Sequence, residues 1–368
     1  MAALQASARS HCALRRHGHA AAAAAAAARP ALCRPLLARR PAPAPAAAAG
    51  AGAAPRRRRP QPPPRAQTRD APPAPAALVG EDAAAFDWSK QSLRSWAVFG
   101  VLLTGVLGAI YAVWIRPGGG VGADYLAAVE ALSGGSPEAT VVALLAIFGV
   151  AHSGLAGLRP YAEEVIGPRA FRVVFALVSL CLAVVPIVYF INHRYDGAQL
   201  WNIQGVPGVH AGVWLVNFVS FYFLYPSTFN ILEVAAVDKP KLHLWETGIM
   251  RITRHPQMVG QGLWCAAHCA WTGSSVVLAA SAALMAHHLF GCWHGDRRLK
   301  AKYGDAFEAV KARTSVVPFQ AVLDGRQALP ADYWREFLRW PYLAVTVFTL
   351  GAYLAHPLMQ QASYALRW

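Results

Sequence analysis

Six histidines fall within or at the edges of long uncharged stretches of the chain: His152, His255, His268, His287, His288 and His356. No Asp, Glu, Lys or Arg accompanies them inside those stretches. An ionisable side chain in hydrocarbon is costly and is a functional hypothesis by default. A proton pathway would normally include an intramembrane carboxylate. Imidazole without carboxylate favours metal or haem ligation, because the neutral ring is inexpensive to bury and binds iron or zinc well.

His152 sits in FGVAHSGLAGLRPY, with Gly149, Ser153 and Gly157 beside it at spacing four. Small residues let a neighbouring backbone or a flat ring approach closely. The residues alone leave two readings open here, a ligand and an interhelical hydrogen bond. Met258, Gln261, Cys265 and His268 follow one another at offsets of three and four in HPQMVGQGLWCAAHCAW, which puts them on one helical face. A thioether, a thiol and an imidazole on one face are credible axial ligands; a packed interface with polar glue is the other reading. No C-x-x-C-H segment is present, so covalent c-type attachment is excluded. Depth bears on pairing. His152 lies about 9 Å inside the basic end of its stretch and His268 about 19 Å, at 1.5 Å per residue. His288 matches the depth of His152 better and stands as the rival ligand. His255 opens an Arg-His-Pro segment, His294 precedes Gly295-Asp296 at the interface, and His356 reads as structural.

The elements that must position these residues follow from composition. The 368 residues are 55% hydrophobic and 14% charged, against about 25% charged in soluble proteins. Uncharged runs cover residues 95–115, 139–158, 173–191, 205–232, 255–295 and 340–366. A crossing takes about 20 residues, and the 255–295 run holds two with a break at Gly273–Ser275. The expected fold is therefore an all-α polytopic membrane bundle of about six to seven transmembrane helices. Counting seven places 18 Lys and Arg on one side and three (Arg116, Arg194 and Arg367) on the other, as the positive-inside rule requires. The polar segment Asp296–Arg339 is amphipathic through Leu299, Tyr303, Phe307 and Val310 and is expected at the membrane surface.

The net charge of +15 belongs mostly to residues 1–80, which carry 13 Arg, no Lys and one acid, Asp70. The body is nearly neutral, so nucleic acid is not an expected partner. The Arg-, Ala- and Pro-rich leader reads as a disordered organelle transit peptide over residues 1–80, ahead of a transmembrane domain over 81–368. Cys181, Cys265, Cys269 and Cys292 lie in apolar stretches without a C-x-x-C pair, against a disulfide framework or zinc finger.

From about Trp88 to Trp368 the chain resembles the NnrU-like membrane family in its plant zeta-carotene isomerase branch. FGVAHSGLAGLRPYAEEVIGPRAFRVVFALVSL from Phe148, RITRHPQMVGQGLWCAAHCAW from Arg251 and HHLFGCWHGDRRLKAKYG from His287 carry the resemblance. It implies a multi-pass chloroplast membrane enzyme whose mature N-terminus faces the stroma. The implied reaction turns the 15-cis bond of 9,15,9'-tri-cis-zeta-carotene to trans, giving the 9,9'-di-cis form. The resemblance further implies a haem b held by His152 and His268, with Cys265 as an alternative ligand when the axial ligation changes on reduction. The implied partners are a lipophilic C40 carotene, membrane lipid and other carotenoid-desaturation enzymes.

Two other readings compete. Arg254-His255-Pro256 with the later Asp296 and Tyr303-Gly304 is similar to S-adenosylmethionine-dependent membrane methyltransferases of the isoprenylcysteine type, although Gly295-Asp296 stands where two glutamates are expected. A non-enzymatic membrane haem or electron-transfer protein would also account for buried histidines.

Overall fold

The computed structural model describes residues 91–118, 120–225, 231–238 and 246–364. The leader, its transit-peptide reading and the boundary at residue 80 lie outside the described residues. The helices are α1 (Leu93–Ile110, continued by a π turn to Ile115), α2 (Val121–Leu132), α3 (Pro137–Ile166), α4 (Pro168–His193) and α5 (Val209–Leu224). They continue as α6 (Ile231–Val234), α7 (Pro256–Thr272), α8 (Ser275–Tyr303), α9 (Asp305–Arg313), α10 (Gln320–Leu323) and α11 (Trp340–Tyr364). No strand occurs among the described residues. Five helices are long and apolar enough to cross a bilayer: Leu93–Ile115, Pro137–Ile166, Pro168–His193, Ser275–Tyr303 and Trp340–Ala362. α5, with 16 residues, and α7, with 17, are shorter. Helices thus occupy all six uncharged stretches, two of them (α7 and α8) in the 255–295 run, and the all-α membrane bundle stands.

Local sequence sets the ends of the helices. Ser136 and Ser274 accept the N–H groups of Ala139 and Val277, capping α3 and α8. Gly167, at φ +81, ends α3, and Pro168 starts α4. Gly273, at φ +63, closes α7 with its N–H on Cys269 O, a left-handed position that favours glycine. The Gly273–Ser274 break is held by the 198–201 loop: Leu200 N–H donates to Gly273 O at 2.7 Å and Ser275 N–H to Ala198 O at 2.9 Å.

α3, α4 and α8 form the centre of the bundle. At the end opposite the basic residues their apolar halves close on one another through Val141, Leu144, Val185, Tyr189, Val276 and Ala280, with Leu126 and Val129 of α2 covering them. α8 does not stop at residue 295; it continues to Tyr303. His287, His288, His294 and Asp296 therefore share one rigid element. Phe307 and Val310 of α9 fold back on Leu299 and Tyr303, so the amphipathic pattern packs around the turn at Gly304.

α5 and α7 approach closely at Gly260. A Cβ there would lie 2.7 Å from Leu224 Cγ and 2.7 Å from Ser220 O. Gly260→Ala is expected to part the two helices and cost about 1–3 kcal/mol, read as a lower melting temperature in detergent. An unchanged melting temperature would mean that the contact adjusts without cost.

Candidate functional site

His152 projects from α3 into the seam with α4 and α8. Its Nδ1 is 3.2 Å from Ser179 Oγ on α4, and Ser179 is itself buried. Its ring packs against Phe175 at 4.9 Å and Phe148 at 5.3 Å. The imidazole facing it is His287 of α8, 5.8 Å away between ring centroids and nearly perpendicular. The small-residue stripe explains this approach. A Cβ on Gly149 would stand 3.0 Å from His287 Nδ1, and one on Gly157 3.7 Å from the His294 ring. The flat rings admitted by the glycines are those of α8.

His268 is positioned within its own helix. Its Nδ1 is 2.9 Å from Trp264 O, and its ring stacks on the Trp264 indole at 3.7 Å. A carbonyl only accepts, so Nδ1 carries a proton, and in its neutral form the ring presents the Nε2 lone pair. Fixing one ring nitrogen so that the other can ligate is the usual outer-shell arrangement of a metal-binding histidine. Trp264 in turn meets Phe190 of α4. One turn earlier, Cys265 is buried, and Gln261 Nε2 donates to its Sγ at 3.5 Å. Cys269 Sγ donates to Ser281 Oγ of α8 at 3.2 Å.

The structure thus brings His152 to His287, and His268 to Trp264. Among the described residues no ring contact joins His268 to His152 or His288. His288 meets its neighbour His287 at 5.8 Å. His287 is one of the six span histidines, but its neighbour His288 is the expected rival ligand. The signal was present in the adjacent pair, whose rings point about 100° apart on a helix, but choosing between them needs the helix rotation. His356 packs on Trp214 of α5, in keeping with a structural role. Among the described residues there is no group of three or more His, Cys, Asp or Glu that could hold a bare metal ion. A haem iron asks the protein for only two axial ligands.

At the basic end, Arg254, His255 and Asp296 form one cluster. Arg254 Nη2 donates to Asp296 Oδ2 at 2.8 Å, and His255 Nε2 lies 2.9 Å from Asp296 Oδ1. Arg254 Nη1 reaches Thr314 O at 3.2 Å, and its backbone N–H reaches Ser315 O at 2.9 Å. Arg254, His255 and Asp296 of the methyltransferase-like pattern are therefore engaged with one another, fastening the start of α7 to α8. Nearby, Arg313 donates to Glu246, and that hydrogen bond raises the Arg313 guanidinium above its already high value.

A helical membrane protein with anchored imidazoles inside its bundle is the class that fold and site define. The chain matches the family described as NnrU protein over residues 140–363. It is 61% identical over 299 residues to 15-cis-zeta-carotene isomerase, chloroplastic, from Arabidopsis thaliana, covering 81% of each chain. The protein of the same name from Zea mays is 61% identical over 291 residues, covering 79% of each. No solved structure matches. The chain belongs to the NnrU family.

Proposed function

We propose that this chain converts the 15-cis double bond of 9,15,9'-tri-cis-zeta-carotene to trans, releasing the 9,9'-di-cis isomer within carotenoid biosynthesis. The observation that carries this is the 61% identity, over about four fifths of each chain, to two proteins named 15-cis-zeta-carotene isomerase. The enzyme is an isomerase, and its apolar helices suit a hydrocarbon substrate that offers no charge to recognise. The proposed location is a plastid membrane, spanned several times, with the basic ends of the helices on the stromal side. Membrane lipid and other carotenoid-desaturation enzymes are the proposed neighbours.

His152 and His268 would hold a haem b, with Cys265 as an alternative ligand. The donor chemistry fits: Trp264 O fixes His268 as the tautomer with an Nε2 lone pair, and Ser179 engages Nδ1 of His152. When bound, the haem supplies electron density that can lower the C15 bond order for rotation, without net redox change. The protein's own task is to orient two imidazoles, keep them neutral and exclude water. Ser179 and Trp264 perform the orientation, while Phe148, Phe175 and Trp264 surround the rings with apolar surface.

The reading is tested by expressing the chain in dark-grown bacteria that make 15-cis-phytoene and desaturate it to tri-cis-zeta-carotene. Darkness matters because light isomerises the same bond. Accumulation of the 9,9'-di-cis isomer is expected, and persistence of the tri-cis isomer alongside well-expressed protein would overturn the proposal.

A further inference from the structure

Three arginines converge where α3, α4 and α8 meet at the basic end: Arg159, Arg172 and Arg298. They lie close enough to repel one another, and among the described residues the carboxylate that offsets them is Glu163. Glu163 Oε1 is 3.8 Å from Arg159 Nε, too long for a hydrogen bond. The Nε groups of Arg159 and Arg172 are both buried without a hydrogen-bond partner. Arg298 Nη1 donates to Ala156 O at 3.1 Å. Three guanidinium groups against one carboxylate leave a surplus of two positive charges in a partly desolvated place. Buried charged donors left unsatisfied are costly, and a native structure retains them where a partner completes them.

The position of the cluster indicates the partner. Arg159 follows His152 by seven residues, two turns along the same face of α3. Its guanidinium carbon lies 5.9 Å from the Phe175 ring, and Phe175 packs against His152 at 4.9 Å. Imidazole and guanidinium are thus separated by no more than these two contacts laid end to end. A porphyrin with an axial ligand at His152 and acidic side chains on its rim would span such a distance. Haem b carries two propionates, equal to the charge surplus.

We propose that Arg159, Arg172 and Arg298 form an oxyanion site that takes the propionates of the haem held at His152. This rests on the cofactor reading above. The shared chemistry is a guanidinium-bound oxyanion at the membrane interface, and the second possible source of that oxyanion is an anionic lipid headgroup.

The full chain, solubilised in detergent and freed of haem, is titrated at the Soret band with haem b and with its dimethyl ester, which lacks the charges. The wild type is expected to prefer haem b about tenfold to a hundredfold. Arg159→Gln and Arg172→Gln should each bring that preference towards unity, while Arg169→Gln, whose guanidinium already donates to Val237 O, should keep it. Native mass spectrometry with phosphatidylglycerol or phosphatidylcholine forms a second arm. If no Soret band develops, the cofactor reading fails. Retention of phosphatidylglycerol that is lost in Arg159→Gln would then support the site with a lipid as its occupant, as it also would if the two porphyrins bind equally. Equal affinity for haem b and its ester, or no haem binding, together with no arginine-dependent lipid retention overturns the site. The wild-type ester comparison stands even if a variant fails to fold.

Discussion

His268→Ala is expected, on the haem ligation proposed above, to abolish the Soret band and isomerase turnover together. Turnover should fall by about a hundredfold or more, beyond the 10–100-fold that losing an outer-shell partner costs. His268 Nδ1–H is committed to Trp264 O, so Nε2 is the nitrogen it offers, and α7 carries no other histidine. Cys265 is buried and already accepts from Gln261, and its Sγ stands a full turn away. Trp264→Phe retains the carbonyl and an aromatic ring for stacking, and should therefore keep the spectrum. His287→Ala is the decisive comparison, because His287 is the imidazole that meets His152. It should retain the Soret band with a modest shift. Loss of the band in His287→Ala with retention in His268→Ala would move the ligand pair to His152 and His287.

The helices were legible because hydrocarbon demands long uncharged runs, and the breaks were legible because glycine and serine mark them. Gly273 and Ser274 fall where the 41-residue run had to divide. The extent of α8 was not legible. A run that ends in charge at Asp296 looks like the end of a helix, yet backbone hydrogen bonding continues through the interface to Tyr303. Among the site residues, the small stripe Gly149, Ser153 and Gly157 correctly announced a close approach to α3. That the approaching groups are His287 and His294 depends on the rotation of α8, which periodicity cannot supply for a helix polar and apolar by turns. The arginine cluster gave no pattern at all. Arg159, Arg172 and Arg298 come from three helices, and only the fold makes them neighbours. The same holds for Glu336, which lies 85 residues from its partner Arg251 and belongs to no recognisable motif.

Glu336→Ala is expected to cost about 3–5 kcal/mol of stability, the range for removing one member of a buried ion pair. Arg251 and Glu336 are both largely shielded from solvent, with side chains 10% and 15% exposed. The carboxylate accepts from Arg251 Nε at 3.0 Å, from Arg251 Nη2 at 2.9 Å and from Gly248 N–H at 2.6 Å. The Tyr333 hydroxyl donates to Gly248 O at 2.7 Å, so the 333–337 turn clasps the 248–251 turn from two sides. With the carboxylate removed, the acceptors left to Arg251 among the described residues are weak, Gln327 Oε1 at 3.3 Å and Ala328 O at 3.4 Å. The uncompensated guanidinium, more than the lost attraction, sets the size of the effect. Two comparisons separate these contributions. Glu336→Gln preserves shape and one acceptor and should be less damaging. The pair Arg251→Met with Glu336→Leu removes both charges and should recover much of the loss. Denaturant unfolding in detergent reads all three. A double variant no more stable than Glu336→Ala would mean that the clasp works through its hydrogen bonds to the 248–251 backbone. The clasp joins the entry of α7 to the entry of α11, and it touches neither His152 nor His268. Folded Glu336→Ala protein should therefore turn over at the wild-type rate, with the deficit appearing only in how much protein is folded.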